Sequence, residues 1–219
     1  TDRWQLVGPV MTGGTVFAVG ISPLEEVPGY WAATGCGVFV SRDGGETWEQ
    51  QLNGLTTPLI SGLAVSSTGA LFAGSLDAAL FVSLDFGRSW QKGKPSWDVQ
   101  GTVTGMTTSP NFAEDGTAFA AMDGGGLMVT RNNGKTWEDA SFGLNSMLVF
   151  AVAVSPDWSR YETMWASTEE GVYISRNGGR AWRATGLMDK EDVVDALAVS
   201  PAFADDQTVA LSVQHGDPN

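Results

Sequence analysis

Asp77, Asp123, the adjacent Glu169 and Glu170, and His215 are the side chains whose types and spacing could do chemistry together. Carboxylates joined by one imidazole make a ligand set for a hard or borderline cation. Two carboxylates about 5 to 9.5 Å apart across a cleft would suit hydrolysis of a glycosidic bond. Asp77 with Asp123 or Glu169 is the pairing available for that, but no motif isolates it. A Ser-His-Asp arrangement would rest on His215, the single histidine, with no nucleophile elbow beside it. No glycine-rich loop leads from a strand into a helix to hold phosphate. The same carboxylates also read as turn formers, since Asp and Gly close tight loops wherever a repeat brings strands together. That second reading is preferred, so no catalytic residue, metal or cofactor is assigned.

Aromatic residues that break a repeat pattern point to binding instead. Trp97, in Lys94-Pro-Ser-Trp97-Asp98, has no counterpart elsewhere, and Phe142 and Met147 fall in the next comparable loop. Large apolar groups on exposed loops suit a platform for a protein or glycan. The competing reading is that they tuck over an edge of the fold.

The elements that must position these residues follow from self-comparison. Ser41-Arg-Asp43-Gly-Gly45-Glu-Thr47-Trp48, Ser83-Leu-Asp85-Phe-Gly87-Arg-Ser89-Trp90, Thr130-Arg-Asn132-Asn-Gly134-Lys-Thr136-Trp137 and Ser175-Arg-Asn177-Gly-Gly179-Arg-Ala181-Trp182 superimpose, with tryptophans 42, 47 and 45 residues apart. Trp4, in Asp2-Arg3-Trp4, continues the period backwards. Within each box the Asp or Asn can accept backbone N–H groups, the glycine accepts positive φ and the hydroxyls bond locally, which closes a hairpin. The boxes with Asn, and the one with Ala181 in place of Ser or Thr, are expected to be looser.

Three strand families lie between the boxes. Runs such as Val38-Phe39-Val40 and Leu127-Met128-Val129 precede each box, runs such as Ala118-Phe-Ala-Ala-Met122 come one step earlier, and Val16 to Ser22, Ile60 to Ser66, Val103 to Ser109, Phe150 to Ser155 and Val194 to Ser200 come first. Several of the first family end in Ser-Pro, where proline lacks a ladder donor. With the strand after the box, each repeat supplies four short antiparallel strands, the arrangement of a β-propeller blade.

The four boxes resemble the Asp-box, or BNR, repeat of sialidases, sortilin-type receptors, xyloglucan-active glycosidases and a photosystem II assembly factor. The resemblance spans nearly the whole chain and implies an all-β propeller, with the boxes on an edge away from the working site. A sialidase-like site would need three arginines facing one ligand. Arg42, Arg131 and Arg176 instead share one box position and Arg88 and Arg180 another, which leaves Arg3, Arg160 and Arg183 outside the boxes.

Residues 1–219 therefore read as one propeller domain with repeats at about 5–50, 51–92, 93–139, 140–184 and 185–219, the last joined by 1–7. Five blades are expected, the fifth lacking its third strand and fastened by the Trp4 strand. The alternative is a slice of a six- to eight-bladed ring. Loops between second and third strands, and between fourth and first strands, should share one face. Boxes and first-to-second-strand loops, with the acidic pairs Glu25-Glu26, Glu114-Asp115 and Asp205-Asp206, should share the other.

Composition bounds the function. A formal charge of −13 with 12 basic residues argues against nucleic acid and anionic membrane surfaces as partners, and no apolar run has the length of a membrane-spanning helix. One cysteine, Cys36, leaves no intrachain disulfide. The start at Thr1 reads as a trimmed terminus, and a secreted or extracytoplasmic location is expected. The expected function is a non-enzymatic binding or assembly scaffold for a protein or glycan, with self-association through an incomplete terminal blade. A glycoside hydrolase, or a structural module of a larger repeat assembly, are the alternatives.

Overall fold

A computed structural model describes residues 14–25, 29–187 and 193–214. It is an all-β chain of successive antiparallel sheets. The first blade holds β1 (Val16–Ile21), β2 (Tyr30–Thr34), β3 (Gly37–Ser41) and β4 (Glu49–Gln51); the second holds β5 (Ile60–Val65), β6 (Leu71–Ser75), β7 (Leu80–Ser83) and β8 (Gln91–Lys92). A two-residue strand β9 (Lys94–Pro95) precedes the third blade, which is β10 (Thr102–Thr108), helical turn α1 (Phe112–Asp115), β11 (Ala118–Asp123), β12 (Gly126–Thr130) and β13 (Thr136–Asp139). The fourth has β14 (Val149–Val154), α2 (Trp158–Tyr161), β15 (Met164–Thr168), β16 (Gly171–Ser175) and β17 (Arg183–Ala184), and the fifth has β18 (Val193–Val199), α3 (Phe203–Asp206) and β19 (Val209–Gln214).

The first strands pack in series, β1 on β5, β5 on β10, β10 on β14 and β14 on β18. This sequential stacking of meandering sheets on their innermost strands is the β-propeller arrangement. Every first strand is bulged after its first or second residue, so that Phe17, Ser61, Thr104, Phe150 and Asp195 fall out of register. A bulge sharpens the local twist and re-aims the extra side chain. Ser61 Oγ uses that freedom to donate to the Val103 carbonyl at 2.7 Å, and Thr104 Oγ1 donates to the Val149 carbonyl at 2.6 Å. Each bond ties one inner strand to the next.

The core lies between blades. Trp31, Val40, Leu71 and Phe81 enclose Trp90; Phe72, Leu80, Val82 and Met128 enclose Trp137; Phe119, Val129 and Tyr173 enclose Trp182. The box tryptophans of the second, third and fourth blades are thus buried against the blade before them. Trp48 is half-buried, and Trp4 lies outside the described residues.

Two features differ from the expected plan. β9 pairs in parallel with β13, giving the third blade a fifth strand. Lys94 N–H donates to Lys135 O and Ser96 N–H to Trp137 O, so Pro95 sits at the one position of this edge that needs no donor. The second concerns closure. Among the described residues the series does not return from β18 to β1 by any substantial contact, and Val19 and Ile21 on β1 are 70% and 67% exposed. The 1–7 segment expected to fasten a five-bladed ring lies outside the described residues, so five is the number of sheets seen and not the size of a ring.

Candidate functional site

The box is a hydrogen-bonded cage. Asp43 Oδ1 accepts from Ser41 Oγ at 2.8 Å and from Thr47 N–H at 2.9 Å, its Oδ2 accepts from Thr47 Oγ1, and Gly45 N–H donates back to Ser41 Oγ. Asp85 repeats this with Ser83 and Ser89. The Thr47 hydroxyl, then its N–H, and the Ser41 hydroxyl together hold the Asp43 carboxyl down at about 2. Burial pushes Asp85 up, but the hydroxyls of Ser89 and Ser83 outweigh it and its pKa is also lowered.

Asn substitutes without loosening the frame. Asn132 Oδ1 accepts from Thr130 Oγ1 and Thr136 N–H, each at 3.0 Å, and its amide donates to Thr136 Oγ1 at 2.8 Å. Asn177 keeps Ser175 Oγ at 2.9 Å and Ala181 N–H at 3.0 Å, so Ala181 costs that box one hydroxyl bond only.

On the box face the acidic loops are structural. Asp115 accepts from Ser109 Oγ, Thr117 N–H and Trp158 Nε1, the last reaching across from the next blade at 3.0 Å. Asp206 accepts from Ser200 Oγ and Thr208 N–H. The underlying motif is Ser-Pro-x-aromatic followed by a single helical turn, whose left-handed cap is Gly116, Glu162 or Gln207. The sequence carries it openly at Ser109, Ser155 and Ser200; reading only its acidic pair missed the turn. Glu26 lies outside the described residues.

The opposite, loop face joins the two loop sets. Leu76 N–H donates to Leu59 O, and Gly124 and Gly126 N–H both donate to Met147 O. Thr102 Oγ1 donates to Leu76 O, and Ser146 Oγ to Glu169 Oε1 at 2.7 Å. Asp77 is exposed and accepts from Ser75 Oγ at 2.5 Å. Asp123 ends β11 and bridges to Leu148. Glu169 and Glu170 are exposed in the β15–β16 turn, where Glu170 N–H donates to Thr168 Oγ1. These carboxylates stand in loops of successive blades, and those with hydroxyl partners serve their own turns or the neighbouring loop. No group of three His, Cys, Asp or Glu placed to hold a metal ion occurs among the described residues. His215 lies outside them. Asp195, which sequence reading passed over, occupies the bulge position that Ser61 and Thr104 use as a tether; its Oδ2 accepts from Gln214 at 2.8 Å.

The aromatic candidates are exposed. Trp97 is 40%, Phe142 76% and Met147 45% exposed. The local cause is the strap each fourth-to-first loop makes over the next blade. Lys94 to Ser96 is pinned to β13 immediately before Trp97, and Phe142 O accepts the Trp182 N–H at 2.9 Å. Leu59 and Leu76, whose loops are joined by the Leu76 N–H to Leu59 O bond, are 42% and 36% exposed.

The BNR/Asp-box repeat family model matches residues 39–50, which hold β3, the first box and the start of β4. No curated protein matches the sequence. Among solved structures, an ancestral GH74 enzyme is 17% identical with a TM-score of 0.72, over 91% of this chain and 29% of its own. YCF48 bound to a D1 peptide is 14% identical at a TM-score of 0.66, over 98% of this chain and 66% of its own. The extracellular domain of a putative one-component system from B. thetaiotaomicron is 14% identical at 0.63, over 91% and 27%. The chain spans less than two thirds of each. At these identities the likeness is one of fold, a β-propeller.

Proposed function

We propose that this BNR/Asp-box propeller chain is a binding scaffold whose loop face takes a protein partner. The observation that carries the reading is the exposure of Phe142, Trp97, Met147, Leu59 and Leu76 on fourth-to-first-strand and second-to-third-strand loops whose backbone is already hydrogen-bonded. A surface of aromatic and aliphatic side chains on a fixed frame loses little entropy on docking and favours a peptide or protein over a sugar, which prefers flat rings with polar neighbours. With a charge of −13, the partner is apolar with a basic rim. Asp77, Asp123, Glu169 and Glu170 supply acidic contacts around it. An extracytoplasmic setting belongs to the same reading. No helix among the described residues is long and apolar enough to cross a membrane.

The test is selection of binding peptides on the intact chain, followed by titration against Phe142→Ser and Trp97→Ala. Losses of about tenfold or more from each, with unchanged circular dichroism, are expected for central contacts. Peptides that bind both variants as well as the parent would remove the loop face from the reading.

A further inference from the structure

We propose that Asn53 is a site of spontaneous backbone modification, at which its carboxamide cyclises onto the Gly54 amide nitrogen and reopens as aspartate or isoaspartate. The inference does not rest on the loop-face contact.

Three asparagines precede a glycine: Asn53-Gly54, Asn133-Gly134 and Asn177-Gly178. Glycine has no Cβ to hinder an approaching side chain, so all three pairs are open to the same chemistry in an unfolded chain. The glycine amide gives its proton to a base in the solvent, and the nitrogen attacks Cγ of the asparagine. A nitrogen–carbon bond forms, the Cγ–Nδ2 bond breaks, and the leaving nitrogen takes up a proton and departs as ammonia. Water then opens the cyclic imide. Attack at one carbonyl gives aspartate, and attack at the other leaves the main chain running through Cβ and Cγ as isoaspartate. Nothing is oxidised or reduced; water enters and ammonia leaves.

The folded chain separates the three pairs. The reaction needs an unbonded amide N–H, a carboxamide able to swing toward it, and water. Gly134 is buried, its N–H donates to Thr130 Oγ1 at 2.9 Å, and a Cβ built on it would stand 2.8 Å from Val82 and 3.0 Å from Phe72. Gly178 is buried as well, and its N–H donates to Glu162 O at 3.0 Å. The Asn177 side chain is clamped, with Oδ1 accepting from Ser175 Oγ at 2.9 Å and from Ala181 N–H at 3.0 Å. Asn53 and Gly54 are both exposed, and the Gly54 N–H has no hydrogen-bond partner among the described residues. The Asn53 carboxamide is restrained only by a bond from Nδ2 to Arg88 O at 3.4 Å, beyond the usual range for such a donor.

The position matters to the fold. Leu52 to Leu55 form a turn closed by Leu55 N–H on Leu52 O at 3.0 Å, with Gly54 at φ +89°. This turn clamps the second box tryptophan. Asn53 O accepts the Trp90 N–H at 2.9 Å, a Cβ on Gly54 would stand 2.0 Å from Trp90 O, and Leu55 packs into the core that holds Trp90. An isoaspartyl link lengthens the main chain by one atom between the group that accepts from Trp90 and the glycine that lies against it, so the two contacts no longer fit together. Phe142-Gly143 clamps Trp182 in the same way, with Phe142 O accepting the Trp182 N–H and a Gly143 Cβ 2.4 Å from Trp182 O. Phenylalanine serves there, so the clamp itself does not require a carboxamide.

The test is to age the purified chain in warm, mildly alkaline buffer, folded and in denaturant, and to follow each Asn-Gly peptide by mass and by enzymatic methylation of isoaspartate. In the folded chain the Asn53 peptide should convert about tenfold or more faster than those of Asn133 and Asn177, which must wait for local opening. In denaturant the three rates should converge. The folded rate at Asn53 should rise with pH, because the amide must lose its proton. Chains carrying isoaspartate at this position should melt at a lower Tm, while Asn53→Gln, which keeps the amide but would have to close a larger ring, should keep its Tm through the same treatment and gain no label there. Conversion at Asn53 no faster than at Asn133 or Asn177 in the folded chain overturns the proposal. An unchanged Tm in the isoaspartyl fraction overturns its effect on the Trp90 clamp.

Discussion

Arg131, in the box of the third blade, reaches 2.9 Å to the carbonyl of Gly178 in the box of the fourth. The side chain leaves its own hairpin and secures the next, on the rim where the Arg180–Glu162 ion pair also closes the fourth blade. A charged donor to a backbone carbonyl is worth more than a neutral one. Arg131→Ala should cost about 1.5–3 kcal/mol by urea unfolding, while Arg42→Ala, whose contact is a 3.7 Å exposed pair with Glu49, should fall within about 1 kcal/mol.

The box tryptophans are unequal. Trp137 is fully buried and Trp48 half-buried. Trp137→Ala should remove about 3–5 kcal/mol and Trp48→Ala clearly less, compared by the denaturant midpoint at constant m. Equal losses would contradict the burial of Trp137 against the preceding blade.

Acid should act on some boxes and spare others. Asp43 is held at about 2 against an ordinary 3.8. A folded-state pKa below the unfolded one gives stability that is complete above the unfolded value and is lost as pH falls through the folded one. Tm should therefore decline between about pH 4 and pH 2, and Asp43→Asn should flatten that limb while keeping the Thr47 N–H contact, as Asn132 and Asn177 do in their own boxes.

The bulge hydroxyls at the axis should be measurable singly. Ser61→Ala removes the donor to Val103 O, and Thr104→Val the donor to Val149 O. Each should lower stability by about 1 kcal/mol, and together they should depart from additivity, because the Val103 carbonyl that Ser61 bonds belongs to the peptide that leads into Thr104. The midpoint shift of the double variant against the sum of the singles is the check.

The blades were legible because everything that defines one recurs: Asp43, Asp85, Asn132 and Asn177 each sit between a short apolar strand and a tryptophan. Relations across blades were not. The bulges at Ser61 and Thr104 depend on the carbonyls of the next inner strand, and the parallel pairing of Lys94-Pro95 with Thr136-Trp137 needs two distant segments side by side. Spacing singled out Trp97, Phe142 and Met147 as departures from the repeat. It could not tell that Ser75 engages Asp77 and that Ser146, from a neighbouring loop, engages Glu169. Asp195 escaped notice because its place is set by the same irregularity of β18.

Because the indoles of the second, third and fourth hairpins are received by the sheet that precedes each in the chain, support passes in one direction. As the polypeptide leaves the ribosome, Phe72 and Val82 can be arranged before Gly134 and Trp137 arrive to cover them, and Phe119 and Val129 before Gly179 and Trp182. Assembly can advance with synthesis, each new turn finding its seat already made.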